Sequence, residues 1–380
     1  MLRSWSFGSS ATQRESRRTK HGYRGRHGNR CRLEVETLEQ RLAPAVFNVT
    51  TTADGLGAGT LRAASIAANA TAEHDFIRMG PGVYTLTLAG AGENLAATGD
   101  LDITNNVTII GAGFTNTIID ASALGDRAFH VLGVNAKFWG VTIQGGTAEQ
   151  GGGISNNGGN LSLIHCRLRN NIAQGITGDG QGGGVYQKDG TLNVKWSLFV
   201  NNRAIGAAMS GVSDGGEGEG GGIFNEDGRV NVHFSAFLRN KAIGGQGGSG
   251  IASGGDGIGG GIANVDGHVF VSFSLFKGNE AIGGRGGDGE DFEEEVIVPG
   301  TGGDGLGGAI NSQTNGHRKV LTSALLHNRA LGGAGRRRRQ WSRRGRRRRR
   351  FRSRRRHPQC LWLVPGGQGV NAHGKRGRRR

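Results

Sequence analysis

The sequence predicts an all-β fold built as a solenoid of stacked coils, and three observations carry that expectation. A Gly-Gly-Gly-Ile type of quartet recurs at 151–154, 182–185, 220–223 and 259–262, with Gly-Gly-Ala-Ile at 307–310. An apolar anchor follows the last residue of each quartet at offsets of 14, 14, 14, 14 and 15: Leu168, Phe199, Phe237, Phe276 and Leu325. The distance from each anchor to the end of the next quartet varies instead, at 17, 24, 25 and 34 residues. One half of the unit is rigid and the other absorbs insertions, the mark of a stacked repeat. Glycine supplies 74 of the 380 residues. Such a share ordinarily marks fibrous or disordered chains, but here the apolar residues between the glycines keep register.

Within each unit the elements follow in a fixed order. A glycine stands five residues after the quartet (Gly159, Gly190, Gly228, Gly267; Gly316 one later), preceded in three units by Asp189, Asp227 and Asp266. Asp-Gly supplies a tight turn with a residue at positive φ. Alternating apolar residues come next, as in Val230, Val232, Phe234 and Val269, Val271, Phe273, the period of a strand with one face buried. Ser-x-Phe follows (Ser197, Ser235, Ser274), with Cys166 in the serine position of the first unit as a small packed residue. Asn171, Asn202, Asn240, Asn279 and Asn328 lie three residues past their anchors. Three short strands per coil cannot bury a face alone, whereas stacked coils can. Stacking predicts an interior ladder of Phe199, Phe237 and Phe276 and an amide ladder of the five asparagines. The glycine loops should leave at one corner and line one edge.

The region before the repeats is β-rich without the spacing. Phe47–Thr52 suits an edge strand, and 60–69 suits a helix with Thr60 as N-cap, placed to cap the open end of the solenoid. Val83–Leu88 alternates, and 101–103, 107–110 and 141–143 read as inner strands of the first coils.

This stretch resembles the N-terminal region of bacterial exported β-helix proteins of the CSLREA-domain type. The likeness rests on Val49-Thr50-Thr51 to Asp54, then Thr60 to Asn69, and on 92–94, 99–103 and 108–113. It departs where Gly59-Thr60 replaces Cys-Ser and Ala63 replaces Glu. The repeats resemble the GGGI and FxxN motifs of polymorphic outer-membrane-protein-like proteins, and 33–45 resembles the LEPR-XLL-type motif of large bacterial surface proteins. The resemblance covers about 47–335. It implies a right-handed parallel β-helix solenoid of the pectin-lyase-like kind with one short N-terminal capping helix, and an extracellular or cell-surface location. It implies no activity, because that fold hosts enzymes and non-enzymes.

Charge divides the chain as the motifs do. Of 47 Lys and Arg, 20 lie in 336–380 and nine in 1–32, so 33–335 keeps 18 against 29 of the 30 acids, a net −11. The repeat region is acidic, and a pI near 10.9 says nothing about its partners. The expected domains are a disordered basic leader at 1–46, the β-helix at 47–335 (first coils to 146, five repeats from 147), and a disordered Arg-rich tail at 336–380. That tail begins where every earlier unit enters a glycine tract. Glycine codons displaced by one base read Arg, Trp or Gly, the composition of 336–350 apart from Gln340 and Ser342, so the tail reads as a frameshift product. The alternative is a nucleic-acid-binding arm, with Arg for phosphates and Trp341 and Phe351 for stacking. No apolar stretch reaches the length of a membrane span.

Chemistry-bearing clusters are few. Asp100 and Asp102, two apart, face one side of a strand and form a candidate acid–base pair; the alternative is a turn residue and a solvated carboxylate. Asp189, Asp227 and Asp266 would stand one strand spacing apart and repel. A bound Ca²⁺ would relieve this, or each merely serves its turn. Asp288 ends 283–288, which matches the GGxGxD of calcium-binding nonapeptides. The acids at 290–295 lie in the longest loop. No Cys/His cluster indicates another metal. The function expected is a non-catalytic surface β-helix presenting loops for adhesion, surface-layer or glycan contact. The alternatives are a polysaccharide lyase or hydrolase, and nucleic-acid binding through the tail.

Overall fold

The computed structural model describes residues 43–288 and 299–335, all within one compact unit. The leader, the acidic insert and the Arg-rich tail of the sequence reading lie outside the described residues, apart from 43–46, 288 and 299 at their margins. Among the described residues the chain forms one helix and stacked strands, and every strand pairing is parallel. The architecture is a parallel β-helix solenoid.

Four successive coils of the repeat region hold five strand segments each rather than three. In one coil these are Ile223–Glu226, Arg229–His233, Ala236–Leu238, Lys241–Ile243 and Gly257–Ile258. Stacked over the coils, they give a seven-stranded quartet sheet, a nine-stranded long sheet, an eight-stranded anchor sheet, a six-stranded alanine sheet and a four-stranded glycine sheet. The two unforeseen sheets come from the small apolar step and the glycine tract. Lone alanines (Ala173, Ala204, Ala242, Ala281) point inward and are buried, and the coil turns back tightly behind them. Apart from one extra residue at the turn of the fifth unit, the length variation falls between the alanine and glycine strands, as at 205–218 and 282–305. Much of the glycine tract is packed instead of freely presented: a methyl on Gly255 would overlap the carbonyl of Gly216 in the coil before.

The quartet glycines each have a separate reason. Gly220 holds φ 64°, a conformation costly for L side chains. A methyl on Gly221 would lie 2.5 Å from the backbone nitrogen of Lys241 in the alanine sheet. One on Gly222 would lie 3.0 Å from Cδ1 of Phe237 in its own coil and 2.5 Å from the carbonyl of Gly261 in the next. Gly184 meets Phe199 and Gly261 meets Phe276 in the same way.

Ladders fill the interior. Phe199, Phe237 and Phe276 are fully buried and stack with centroids 4.6 Å apart. Asn171, Asn202, Asn240, Asn279 and Asn328 chain their amides, each Nδ2 donating to the next Oδ1 at 2.8–3.0 Å. Asn240 Nδ2 also donates to the Phe199 carbonyl, and Asn240 Oδ1 also accepts the Asn202 backbone N–H. Ser197, Ser235 and Ser274 form a third ladder, which Cys166 begins. A fourth, Asn156 to Gln187 and Asn225 to Asn264, lies inside the quartet sheet.

At the N-terminal end, Val46–Val49 is the edge strand of the long sheet. The helix Leu61–Asn69 is capped by Thr60, whose hydroxyl accepts from Ala63 N. Leu61, Ala64 and Ala68 join the core. Arg62 is completely buried and pairs with Asp54 through Nε at 2.8 Å. Its remaining donors take the carbonyls of Ala96 and Gly99. A buried guanidinium is tolerated because its donors meet a carboxylate and carbonyls. Arg62 thereby pins the segment leading to Asp100 and Asp102.

Two substitutions test this account. Asn240→Ala leaves donors of Asn202 and acceptors of Phe199 and Asn279 unmet, at about 1–3 kcal/mol for each buried group. A loss of about 3 kcal/mol or more is expected in chemical denaturation. Gly221→Ala should cost a similar amount through overpacking, whereas Gly178→Ala, whose added methyl meets nothing within 4 Å, should cost under about 1 kcal/mol.

Candidate functional site

Two arrangements carry chemistry. The first is the outer face of the long sheet. Register places Lys137, Ser162, Asn193, Asn231, Phe270 and Lys319 in one outward column. Asn135, Asn160, Thr191, Arg229, His268 and His317 flank it on one side. Trp139, Ile164, Lys195, His233 and Ser272 flank it on the other. With Arg78 further toward the N-terminus, the outward positions carry five Lys or Arg, three imidazoles and, among the described residues, no carboxylate. Asp189, Asp227 and Asp266 sit at the corner turn before the sheet, outside its strands. A groove of about 210 Å³ opens among Arg229, Asn231, His268, Phe270, His317 and Lys319. A second groove, about 370 Å³, lies off this sheet beside Arg203, Lys241 and Arg329, but there Glu280 pairs with Lys241 at 2.8 Å.

The far edge of this face carries an aromatic column. His165, Trp196, Phe234 and Phe273 occupy one corner position, with φ of 48–50°. The left-handed residue breaks the strand alternation and turns its side chain outward. Phe234 and Phe273 are therefore half exposed, at 51% and 53%, where simple alternation had assigned them to the buried face. The rings stack nearly parallel, at centroid distances of 5.3, 5.9 and 5.0 Å.

The second arrangement lies in the first coils. Asp102 pairs in register with His130, one coil on. Asp100, Asp102 and His130 bring three ligand-type atoms within 4.8 Å of one another. Neither aspartate is solvated: Asp100 is 6% exposed and Asp102 is fully buried. Asp102 Oδ2 accepts from Ala96 N at 2.9 Å. His130 Nδ1 is 3.4 Å from Asp102 Oδ1, but Oδ1 receives no hydrogen bond. Asn157 Nδ2 meets His130 Nε2 at 3.1 Å. Burial, then the charges of Asp102 and Asp126, push the Asp100 carboxyl up to about 7 against the pull of Arg127. His130 was not foreseen. Its one signal is that Phe129-His130-Val131 repeats the pattern of Leu101-Asp102-Ile103, the two triplets stacking in register.

The calcium candidates are not gathered. Asp189, Asp227 and Asp266 all adopt positive φ, 53–56°, which suits their Asp-Gly turns. Stacked one per coil, they spread along the corner instead of converging, and Asp266 Oδ1 instead accepts from Asn315 N. Asp288 lies in the glycine tract, where its carbonyl accepts from Gly250 N. Among the described residues, Asp100, Asp102 and His130 are the metal-type cluster. The outer side of the quartet sheet is closed as well: Tyr186, Phe224 and Ala263 pack with Ile258 of the glycine sheet. Cys166 is buried, and burial pushes its thiol up to about 11.

No family model matches the chain, and no curated protein does. Among solved structures, pectin methylesterase PemA from Erwinia chrysanthemi is similar over 62% of this chain and 81% of its own, at 10% identity and a TM-score of 0.33. A pectin methylesterase from carrot is similar over 77% and 85%, at 13% identity and a TM-score of 0.34. ORF18 of Geobacillus virus E2 covers 70% and 61%, at 12% and 0.24. Likeness at this level says nothing about activity. Among the described residues no helix is long and apolar enough to cross a membrane.

Glu219 offers a test of the closed interior. It is 5% exposed, and burial pushes its carboxyl up to about 7, opposed by Gln181 and aided by Glu217, Asp179 and Glu226. Below about pH 4 the group is neutral folded and unfolded, so it costs nothing. As pH rises toward 7 the unfolded chain ionises first and stability falls. Glu219→Gln should therefore stabilise by about 3 kcal/mol at pH 8 and not at pH 4, read from denaturation midpoints at the two pH values.

Proposed function

We propose that this chain is an exported, non-catalytic β-helix protein that binds an acidic polysaccharide along the outer face of its long sheet. The observation that carries the reading is the sign of that face. Its outward positions hold cations and imidazoles with no carboxylate, although 33–335 is net −11. Arg and Lys suit carboxylated or sulfated sugars by charge. Asn135, Asn160, Asn193 and Asn231 offer both donors and acceptors to hydroxyls, and the aromatic edge adds apolar contact. The contact surface is thus the sheet, not the glycine loops. Export rests on the leader motif.

A polysaccharide lyase or hydrolase would set carboxylates beside a base on an open face. Here the carboxylate pair that stands beside an imidazole is enclosed. The open face, for its part, lacks an acid.

Affinity electrophoresis against polygalacturonate, alginate and neutral dextran tests the reading. Retardation by the two anionic gels, weakening with salt and absent in dextran, is expected. Arg229→Ala combined with Lys195→Ala should weaken it about tenfold or more, about 1.4 kcal/mol, while Arg203→Ala off this sheet should not. Release of unsaturated or reducing products from any acidic polysaccharide, with or without Ca²⁺, would refute the non-catalytic reading. Retardation by single-stranded DNA alone would refute the polysaccharide.

A further inference from the structure

We propose that Asp100, Asp102 and His130 form a binding site for one divalent first-row metal ion of the zinc or manganese kind. The backbone builds the site, because Asp102 and His130 are register partners on adjacent coils and Asp100 is two residues away. The three ligand atoms already lie within 4.8 Å of one another, so one ion can reach all three.

The second observation is an unmet buried oxygen. Asp102 is fully buried, and its Oδ1 has no hydrogen-bond donor although His130 Nδ1 stands 3.4 Å away. A buried carboxylate oxygen left in that state is costly, and a cation between Oδ1, Nδ1 and Asp100 removes the cost. Local charge agrees. Asp100, Asp102 and Asp126 crowd together, while the nearest cation, Arg127, is 3.7 Å from Asp100.

The donor set selects the ion. Two carboxylates and one imidazole suit zinc or manganese, whereas Ca²⁺ takes six to eight oxygens. Water completes the shell from the side where the His130 ring is 14% exposed. Asn157 Nδ2 lies 3.1 Å from Nε2; with Nδ1 on the metal, Nε2 carries the proton, and rotating the Asn157 amide turns its Oδ1 to accept that N–H, the usual task of an outer partner. Such an ion ties Leu101–Ile103 to Phe129–Leu132. Through Ala96 it also fixes the segment that Arg62 holds from the other side. The site is independent of the long sheet, so it stands or falls apart from polysaccharide binding.

The test uses the full chain stripped with a chelator, then titrated calorimetrically with Zn²⁺, Mn²⁺ and Ca²⁺. One Zn²⁺ or Mn²⁺ per chain should bind at high affinity and raise the thermal midpoint. Asp102→Asn keeps the acceptor for Ala96 and should weaken binding by at least about 100-fold, as should His130→Gln; Asn157→Ala should cost about tenfold. His268→Gln with His317→Gln removes the exposed imidazole pair and should leave the high-affinity site intact. Circular dichroism checks each fold, and if Asp102→Asn does not fold, Asp100→Asn and His130→Gln decide. The proposal is overturned if no added metal stabilises the chain, if Ca²⁺ is preferred, or if binding survives Asp102→Asn and His130→Gln.

Discussion

The contact between a phenylalanine ring and the third glycine of its own quartet governs this fold. Phe237 lies against Gly222, Phe199 against Gly184 and Phe276 against Gly261. The ring and the glycine sit across the interior from one another, so the chain between them must make one strand, one turn, a second strand and one bend. That path has a single length, which is why the offset from quartet to anchor hardly changes. The rings then stack at 4.6 Å, close to the spacing of paired strands. One contact fixes the coil's cross-section, and its repetition fixes the rise.

The remaining glycines follow from what lies beside that contact. The alanine sheet folds back against the quartet strand, and Gly221 meets the Lys241 backbone directly. No side chain fits between two backbones so placed, and the inward residue of each alanine strand is held to a single methyl. The coil closes with little apolar area on this side, and polar ladders do the joining instead. An interior amide is tolerable only if all its hydrogen bonds are made. Each middle asparagine of the main ladder meets that condition: its Oδ1 accepts from the backbone and side chain of the coil before, and its Nδ2 reaches an anchor carbonyl and the following Oδ1. The same condition fails at Asn156 and Asn225 Oδ1 in the quartet-sheet ladder and, where the group is a carboxylate, at Asp102 Oδ1.

The repeat was legible because it is local. Quartet, turn glycine, anchor and asparagine all lie within one rigid half-coil, and the Phe and Asn ladders follow from stacking alone. Thr60 and its helix were legible for the same reason. What escaped depended on neighbours across coils or on backbone sign. Neither the small apolar step nor the glycine tract carries a periodicity that announces its sheet. His130 reaches Asp102 only through register between coils that lack the repeat spacing. Phe234 and Phe273 obeyed the period of two up to a corner where φ turns positive, and no residue type there signals it.

That corner bears on function. Three corner columns of the coil use left-handed residues. Between quartet and long sheets they are Gly158, Asp189, Asp227 and Asp266; between anchor and alanine sheets, Asn170, Asn201, Arg239, Gly278 and His327. Gly, Asp and Asn are the residues that adopt this conformation at least cost. The corner after the long sheet runs Gly140, His165, Trp196, Phe234, Phe273 and Thr322, with rings in four successive coils. Left-handed backbone at such residues costs roughly 1–2 kcal/mol each, in a chain with glycine to spare. Stacking between the rings offsets part of this, yet burying the rings would have stabilised more. Arg239 and His327 carry the same strain at another corner, so it is the run of large rings held half in water beside a face of one charge sign, and not the strain, that fits the proposed contact surface.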